Sequence, residues 1–267
     1  MQSETCKPAP APNKKTVYII KQWNLPATTV TRGFKEKYVQ EKNISAIYQD
    51  LVDKIKKKKF DLVVAEGCEG EINSEFSQTF NGWDLETLKK ESHLKNYDRV
   101  ITNIPLKIEA RFGDKIHAIC GDSLKQIQEG NVRVSNLRGW MGFWERLKNS
   151  PKESGHDENL KLYAEAAADL LKISRTTPLA EIRKQIQAQI KSELESFKVS
   201  LTERGGAFAK VLHDQDFTNA AVIVSGIQAS NVKSKIEEAG MDCVVLTPPG
   251  YSTSEENLLR DFEKAIQ

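Results

Sequence analysis

Two segments, one near each end of the chain, each combine a buried-strand pattern with a polar turn. The first is VYIIKQWN, from Val17 to Asn24, and the second is AVIVSGIQ, from Ala221 to Gln228. Runs of β-branched apolar residues predict strands buried on both faces, which are typical of parallel sheets covered by helices. In such sheets ligands bind at the carboxyl ends of the strands. The two segments therefore restrict the chain to an α/β fold and predict a polar site at one edge of its sheet.

Strand and helix patterns alternate along the rest of the chain, which predicts an α/β protein with a central, mostly parallel β-sheet flanked by helices. We predict a disordered tether over residues 1–15, two halves of the α/β domain over 16–150 and 201–267, and a helical insertion or cap over 151–200. The further strands are predicted at Phe60–Ala65, Ile116–Asp122, Ala220–Val224 and Cys243–Leu246. The clearest helices are predicted at Leu85–Lys95, from Ser123 onward, and at Asn159–Lys198, Leu201–Leu212 and Asn231–Ala239.

Charge and hydropathy exclude several kinds of partner. The 267 residues include 39 Lys and Arg against 37 Asp and Glu, and a formal charge of +2 is too balanced to predict binding to nucleic acid or to an anionic membrane. No apolar run reaches the roughly 18–20 residues of a transmembrane helix. Charge therefore predicts no nucleic-acid partner, and hydropathy predicts no transmembrane segment. The partner we predict is a small-molecule or peptide ligand of the strand-end site.

The amino-terminal tail and the cysteines bear on the compartment. Cys6 is followed by KPAPAP, and such a proline-rich stretch is typical of an extended tether that follows a removed export signal. We favour an exported protein, and a cytoplasmic one is the alternative. The four cysteines (Cys6, Cys68, Cys120 and Cys243) form no C-x-x-C motif and match no zinc spacing, so they fit either compartment. Cys120 and Cys243 belong to apolar strand patterns and are predicted to be small core residues.

Four short motifs follow one another along the chain. They are the turn Lys21–Asn24, the strand and turn DLVVAEG at Asp61–Gly67, the pair Glu203–Arg204 with Phe208 and Ala209 beyond it, and the turn Ser225–Gln228. In order and spacing this set resembles the Tiki/TraB superfamily, which also includes haem-binding ChaN-like proteins and the erythromycin esterases. The resemblance extends from Val17 to Leu246 and implies a peptidase-like, metal-dependent hydrolase ancestry.

The resemblance also implies a metal site, and this chain departs from it. In the family both turns end in histidine, and these two histidines act with the glutamate at the strand end. The corresponding positions here are Asn24, Glu66 and Gln228. A carboxamide oxygen is a weaker ligand than imidazole for a transition metal, so Mn, Co or Zn would be held weakly. Haem is the other cofactor that the resemblance implies.

Glu66 and Arg204 are the catalytic candidates. Glu66 follows the apolar run Leu62–Ala65 directly, so its carboxylate is expected at the sheet edge where α/β ligands bind. Arg204 is a candidate partner that orients Glu66 or binds an anionic group; the alternative is an ordinary charge on a helix surface. His213 and His117 are secondary candidates for an acid, base or ligand, and for His117 the alternative is a core histidine.

Three functions remain open from the sequence. The first is a protein of metal-dependent hydrolase ancestry with an altered metal site. The second is a non-catalytic protein that binds haem, a peptide or a glycan fragment on the same scaffold. The third is an esterase-like hydrolase without metal, in which Glu66 activates water.

Overall fold

A computed structural model of the protein describes residues 2–5, 14–23, 34–91, 103–148 and 158–266. The strands are β1 (Gln2–Thr5), β2 (Thr16–Gln22), β3 (Leu62–Ala65), β4 (Glu69–Glu71), β5 (His117–Gly121), β6 (Asn219–Ser225) and β7 (Asp242–Thr247). The helices are α1 (Phe34–Lys56), α2 (Ser74–Asn81), α3 (Leu85–Glu91), α4 (Ile104–Phe112), α5 (Leu124–Leu147), α6 (Glu158–Leu171), α7 (Leu179–Asp214), α8 (Gly226–Glu238) and α9 (Ser254–Ala265).

The strands form one seven-stranded sheet in the order β1-β7-β2-β6-β3-β5-β4. The inner strands β7, β2, β6, β3 and β5 pair in parallel. The edge strands β1 and β4 pair antiparallel with β7 and β5. The prediction of an α/β protein with a mostly parallel sheet flanked by helices is confirmed.

Alternate residues of each strand contribute to two separate hydrophobic cores. Val63 of β3 and Ile20 of β2 pack with Ile47 and Leu51 of α1 and with residues of α4 on one face. Their neighbours along the strands pack on the other face, against Phe208 and Leu212 of α7 and against residues of α8. Because side chains alternate along a strand, the apolar runs seen in the sequence supply both cores at once.

The described chain divides into two compact units. The first contains the sheet and comprises residues up to 126 together with 202–257, and the second comprises 127–201 and 258–267. The second unit is helical, and α7 contributes a stripe of buried residues to it at helical spacing: Ile182, Ile186, Ile190, Leu194 and Phe197. A helix that begins at Ser123 and a helical insertion over 151–200 were predicted here, and the first of these extends as α5 to Leu147. In the described part of the chain no helix has both the length and the apolar character needed to cross a bilayer.

Several predicted elements differ from the structure. Gln2–Thr5, predicted as part of a tether, forms β1, which pairs with β7. This pairing uses backbone hydrogen bonds, and these require no apolar pattern in the sequence. The helices predicted at Asn159–Lys198 and Leu201–Leu212 divide differently: α7 is one helix from Leu179 to Asp214, because its apolar spacing continues through Leu201 without a proline or a cap. Four further elements were not predicted, namely β4, α2, α4 and α9.

Candidate functional site

The sheet has a topological switch point at the carboxyl end of β6. Its neighbour β2 leads into α1, which packs on one face of the sheet, whereas β6 leads directly into α8, which packs on the other. Where connections leave adjacent strands toward opposite faces, a crevice opens at the carboxyl ends of the strands. The strand-end residues of β2, β6 and β3 therefore lie at the position where α/β proteins bind ligands.

Glu66 lies at this edge and is held by β6. Its Oε1 accepts a hydrogen bond from the Ser225 hydroxyl (2.9 Å), and its Oε2 accepts one from the Ser225 backbone N–H. Ser225 is the N-cap of α8, yet its side chain makes no capping bond within that helix. The hydroxyl that would ordinarily cap the helix instead binds Glu66, so the ends of β3 and β6 are joined through this carboxylate.

Arg204 joins Glu66 to a second carboxylate, Asp122. Its Nη2 donates to Glu66 Oε1 (2.7 Å) and to Asp122 Oδ2 (2.6 Å), while its Nε donates to Asp122 Oδ1 (3.0 Å). Asp122 follows β5 directly, as Glu66 follows β3. Two strand ends of the first unit therefore meet at one guanidinium, whose planar fork suits two carboxylates at once.

Gly205, the residue after Arg204, allows α7 to bring Arg204 to the sheet. A side chain at Gly205 would approach the backbone oxygen of Asn231 in α8 to 2.8 Å, so α7 and α8 pack closely only because position 205 is glycine. Thr202 hydrogen-bonds to the Asn231 side chain at the same contact (3.2 Å). This close helix packing fixes the height of Arg204 above the strand ends.

The three charged side chains are largely buried. The exposed fractions are 13% for Arg204, 12% for Glu66 and 0% for Asp122. Burial by itself would lower the pKa of Arg204, but its hydrogen bonds to Asp122 and the charges of both carboxylates outweigh burial, so the pKa of Arg204 is raised above its usual value. Arg204 is therefore a fixed cation, and the group of two carboxylates and one guanidinium carries a net negative charge.

Asp122 is the best-connected member of this group. Its Oδ2 also accepts from the Gly67 N–H (3.2 Å), and its Oδ1 accepts from the Ser123 N–H (3.0 Å). Neither Asp122 nor Ser225 was predicted from the sequence as a site residue. The rule that selected Glu66, a polar residue directly after an apolar strand, applies equally to both.

A second polar group lies where β2 ends. Lys21 pairs with Glu256 of α9 (Nζ to Oε1, 2.9 Å), and the Tyr251 hydroxyl donates to the same oxygen (2.7 Å). The Tyr251 hydroxyl also packs directly against Gly226: a Cβ atom at position 226 would lie only 1.6 Å from the tyrosine oxygen. An aromatic ring with two hydrogen-bonding side chains therefore covers the first residue of α8.

The structure brings together only some of the predicted residues. Glu66 and Arg204 are in direct contact, which is the pairing the sequence suggested. Gln228 is fully buried in the first turns of α8, three residues beyond Ser225. Asn24 lies outside the described residues.

The two secondary histidines lie away from this edge. His117 begins β5 and Asp122 follows its end, so the two residues are at opposite edges of the sheet. His117 is half exposed and its Nε2 lies 2.9 Å from Glu71, so it is neither a core nor a pocket residue. His213 lies at the exposed end of α7, where its backbone oxygen accepts a hydrogen bond from Lys15, just before β2 begins.

The described residues do not fit the metal or haem that the resemblance implies. Among them, no group of three His, Cys, Asp or Glu side chains is placed to hold a metal ion. Glu66 Oε1 and both carboxylate oxygens of Asp122 already accept bonds from Arg204, so a cation bound to them would have to displace a buried guanidinium. Neither described histidine reaches this edge to act as an axial haem ligand.

One sequence prediction about cysteine is confirmed and another needs correction. Cys243 is a buried thiol in β7, as predicted. Cys120 is buried too, but it forms a disulfide with Cys68, the two Cα atoms lying 5.1 Å apart. The sequence could not show this pairing, because 52 residues separate the two cysteines and their spacing matches no motif.

The second unit contains a cavity of about 510 Å³ lined by Gln187, Lys191, Leu194, Glu195, Glu263 and Ile266. Its walls are mainly long surface side chains, and none of the residues selected from the sequence contributes to it. We place the candidate site at the strand ends because buried charged side chains contact one another there. Comparison of the chain with models of known families, with curated proteins and with solved structures finds no match.

Proposed function

We propose that this chain is a Tiki/TraB-like protein of hydrolase ancestry in which an arginine–carboxylate network replaces the metal site. The observation that supports this most directly is the contact of Arg204 with both Glu66 and Asp122. A metal centre needs carboxylate lone pairs that face the ion, whereas here those lone pairs accept bonds from a buried cation. Such a network stabilises the strand ends that line the crevice, and it contains no metal ion that could activate a substrate.

The ligand we propose is a short peptide or a glycan fragment that is bound without being cleaved. The net negative charge of the network disfavours an anionic ligand. Tyr251 offers a ring face beside Lys21 and Glu256, and such groups hydrogen-bond to amides and hydroxyls. Neutral ligands that combine amide and hydroxyl groups fit this chemistry best.

The absence of a working metal site can be tested by calorimetry. We expect no saturable heat when the protein is titrated with Mn²⁺, Co²⁺ or Zn²⁺ at micromolar concentration, since amide oxygens and an arginine-bound carboxylate are poor ligands for these ions. The double variant Asn24→His/Gln228→His should gain affinity. Stoichiometric metal binding by the unchanged protein would refute the proposal that the network replaces the metal site. No gain of metal affinity in the double variant would refute the proposal that an ancestral metal site lay at these positions.

The role of Glu66 in binding can be tested with two probes, end-blocked tetra-alanine and tri-N-acetylchitotriose, in an NMR titration. We expect one probe to shift the signals of Tyr251 and Ser225. Glu66→Gln should weaken that binding about tenfold or more, because the amide cannot accept all the hydrogen bonds from Ser225 and Arg204, and losing a bond between charged groups costs about 1.5–3 kcal/mol.

Glu193→Gln is the matched control for that titration. Glu193 is similarly buried, with 13% of its side chain exposed, and it also accepts bonds from an arginine and a polar side chain, Arg133 and Asn136, within the second unit. It removes a buried carboxylate in the same way and should leave probe binding unchanged. If neither probe binds, or if both variants weaken binding equally, the proposed ligand site is wrong.

A hydrolase without metal is the second candidate, and one contact supports it. The Ser225 hydroxyl donates to Glu66, and a carboxylate that accepts a hydroxyl proton is an arrangement that activates nucleophiles. The same samples distinguish the two candidates. Cleavage products of either probe on chromatography, lost in Ser225→Ala, would favour the hydrolase over the binding protein.

A further inference from the structure

The Cys68–Cys120 disulfide lies beside both carboxylates that bind Arg204. Cys68 is two residues after Glu66, and Cys120 is two residues before Asp122. Both cysteines are buried, with 5% and 1% of their surface exposed. The bond therefore links the two chain segments that carry the charged groups, within the first unit.

The sheet order shows what this bond holds in place. β3 and β4 lie on opposite sides of β5, so the chain must cross the carboxyl end of β5 between Ala65 and Glu69. The crossing segment contains Glu66 and Cys68 and includes Gly67, whose φ of 88° suits glycine. It passes over β5 at the point where Asp122 emerges.

Hydrogen bonds also hold this crossing, including that of the Glu66 N–H to the Ile223 carbonyl oxygen (3.1 Å) and the contacts of the Glu66 carboxylate with Ser225 and Arg204. The Asp122 N–H donates to the Cys68 carbonyl oxygen (3.1 Å), and the Gly67 N–H donates to Asp122 Oδ2 (3.2 Å). β4, which follows the crossing, is only three residues long and has all three residues exposed. A three-residue exposed edge strand contributes little burial, and the disulfide is the covalent bond that limits the separation of the two segments that carry the carboxylates.

We propose that the Cys68–Cys120 disulfide positions Glu66 and Asp122 for Arg204, so that the charged network is complete only in the oxidised chain. The use of this network for ligand binding rests on the function proposed above; its dependence on the disulfide does not. Because such bonds do not persist in a reducing cytosol, the same inference assigns the protein to an oxidising compartment.

The chemistry of formation is thiol–disulfide exchange. The two cysteine thiols lose two protons and two electrons as their S–S bond forms, and the disulfide of an oxidoreductase accepts them and becomes two thiols. A dithiol such as dithiothreitol reverses the step: it is oxidised to a cyclic disulfide and Cys68 and Cys120 become thiols.

The test compares NMR signals that are remote in sequence from both cysteines, namely the Arg204 Nε–H and the Ser225 amide. In the oxidised protein both signals should be sharp. In the reduced protein and in Cys68→Ala/Cys120→Ala we expect both to shift or broaden, while the amides of Tyr18 and Val245, far along the sheet, keep their shifts. Cys243→Ala, which removes a buried thiol outside the disulfide, should leave the Arg204 and Ser225 signals unchanged.

Each other outcome overturns the inference. Unchanged Arg204 and Ser225 signals would show that the network assembles without the disulfide. Equal changes in all four signals, or failure of both the reduced protein and the double variant to fold, would show that the bond supports the whole sheet rather than the network. A peptide map of exported protein without a Cys68–Cys120 link would remove the premise. Probe binding is a separate readout, so a failed ligand proposal leaves this result intact.

Discussion

Replacing Arg204 with methionine is expected to lower the free energy of unfolding by about 3–5 kcal/mol, the usual cost of leaving buried charge uncompensated. Methionine has a similar length but cannot donate to Glu66 or Asp122, which bind the same Nη2 atom and would then repel each other. Arg204→Lys should recover part of the loss, because it keeps the charge but loses the planar fork. Urea unfolding monitored by circular dichroism measures the difference.

The matched control is Arg175→Met. Arg175 binds Asp169 through two hydrogen bonds, yet 62% of its side chain is exposed, so solvent screens the pair and this change should cost far less than Arg204→Met. The pKa of Arg204 is raised in the folded protein, so its contribution to stability is present below the unfolded pKa and is lost only as the pH rises through the folded one. The difference between Arg204→Met and the unchanged protein should therefore stay constant from neutral to mildly alkaline pH. Equal losses in the two methionine variants would contradict a buried network.

Removing the disulfide is expected to lower the free energy of unfolding by about 4 kcal/mol. The bond joins cysteines 52 residues apart, and closing a loop of that length restricts the unfolded chain strongly. Cys68→Ala/Cys120→Ala should thus unfold at a clearly lower urea concentration, and the unchanged protein with dithiothreitol should move toward the variant. Cys243→Ala measures the cost of removing a buried thiol alone. If the double variant unfolded at the same urea concentration as Cys243→Ala, the disulfide would add no stability.

The sequence predicts the inner part of the fold well, because burial determines its pattern. β2, β6 and β7 are apolar runs with helices packed on both faces, and a run of this kind has few alternatives to a strand in a parallel sheet. The edge strands β1 and β4 read QSET and EGE and could not be found in this way. They are held by backbone hydrogen bonds to β7 and β5, and such bonds do not depend on the identity of the side chain.

The candidate site divides along the same line. A carboxylate directly after a buried strand must emerge at the carboxyl edge of a parallel sheet, and this local rule selects Glu66 and applies equally to Asp122. Its partners are set by tertiary structure. Arg204 is 138 residues away in sequence, and it reaches Glu66 because Gly205 lets α7 pack closely on α8.

The sequence by itself therefore determined the α/β class, the succession of the inner strands along the chain and the edge at which Glu66 emerges. Each of these follows from periodicity and burial within one segment. Only the tertiary structure decided that Asp122 and Ser225 join Glu66, that Cys68 bonds to Cys120, and that His117 and His213 lie away from them. These results depend on which strands become neighbours and on where the chain crosses the sheet. Strand order is set by the packing of the whole domain, and no short stretch of residues encodes it.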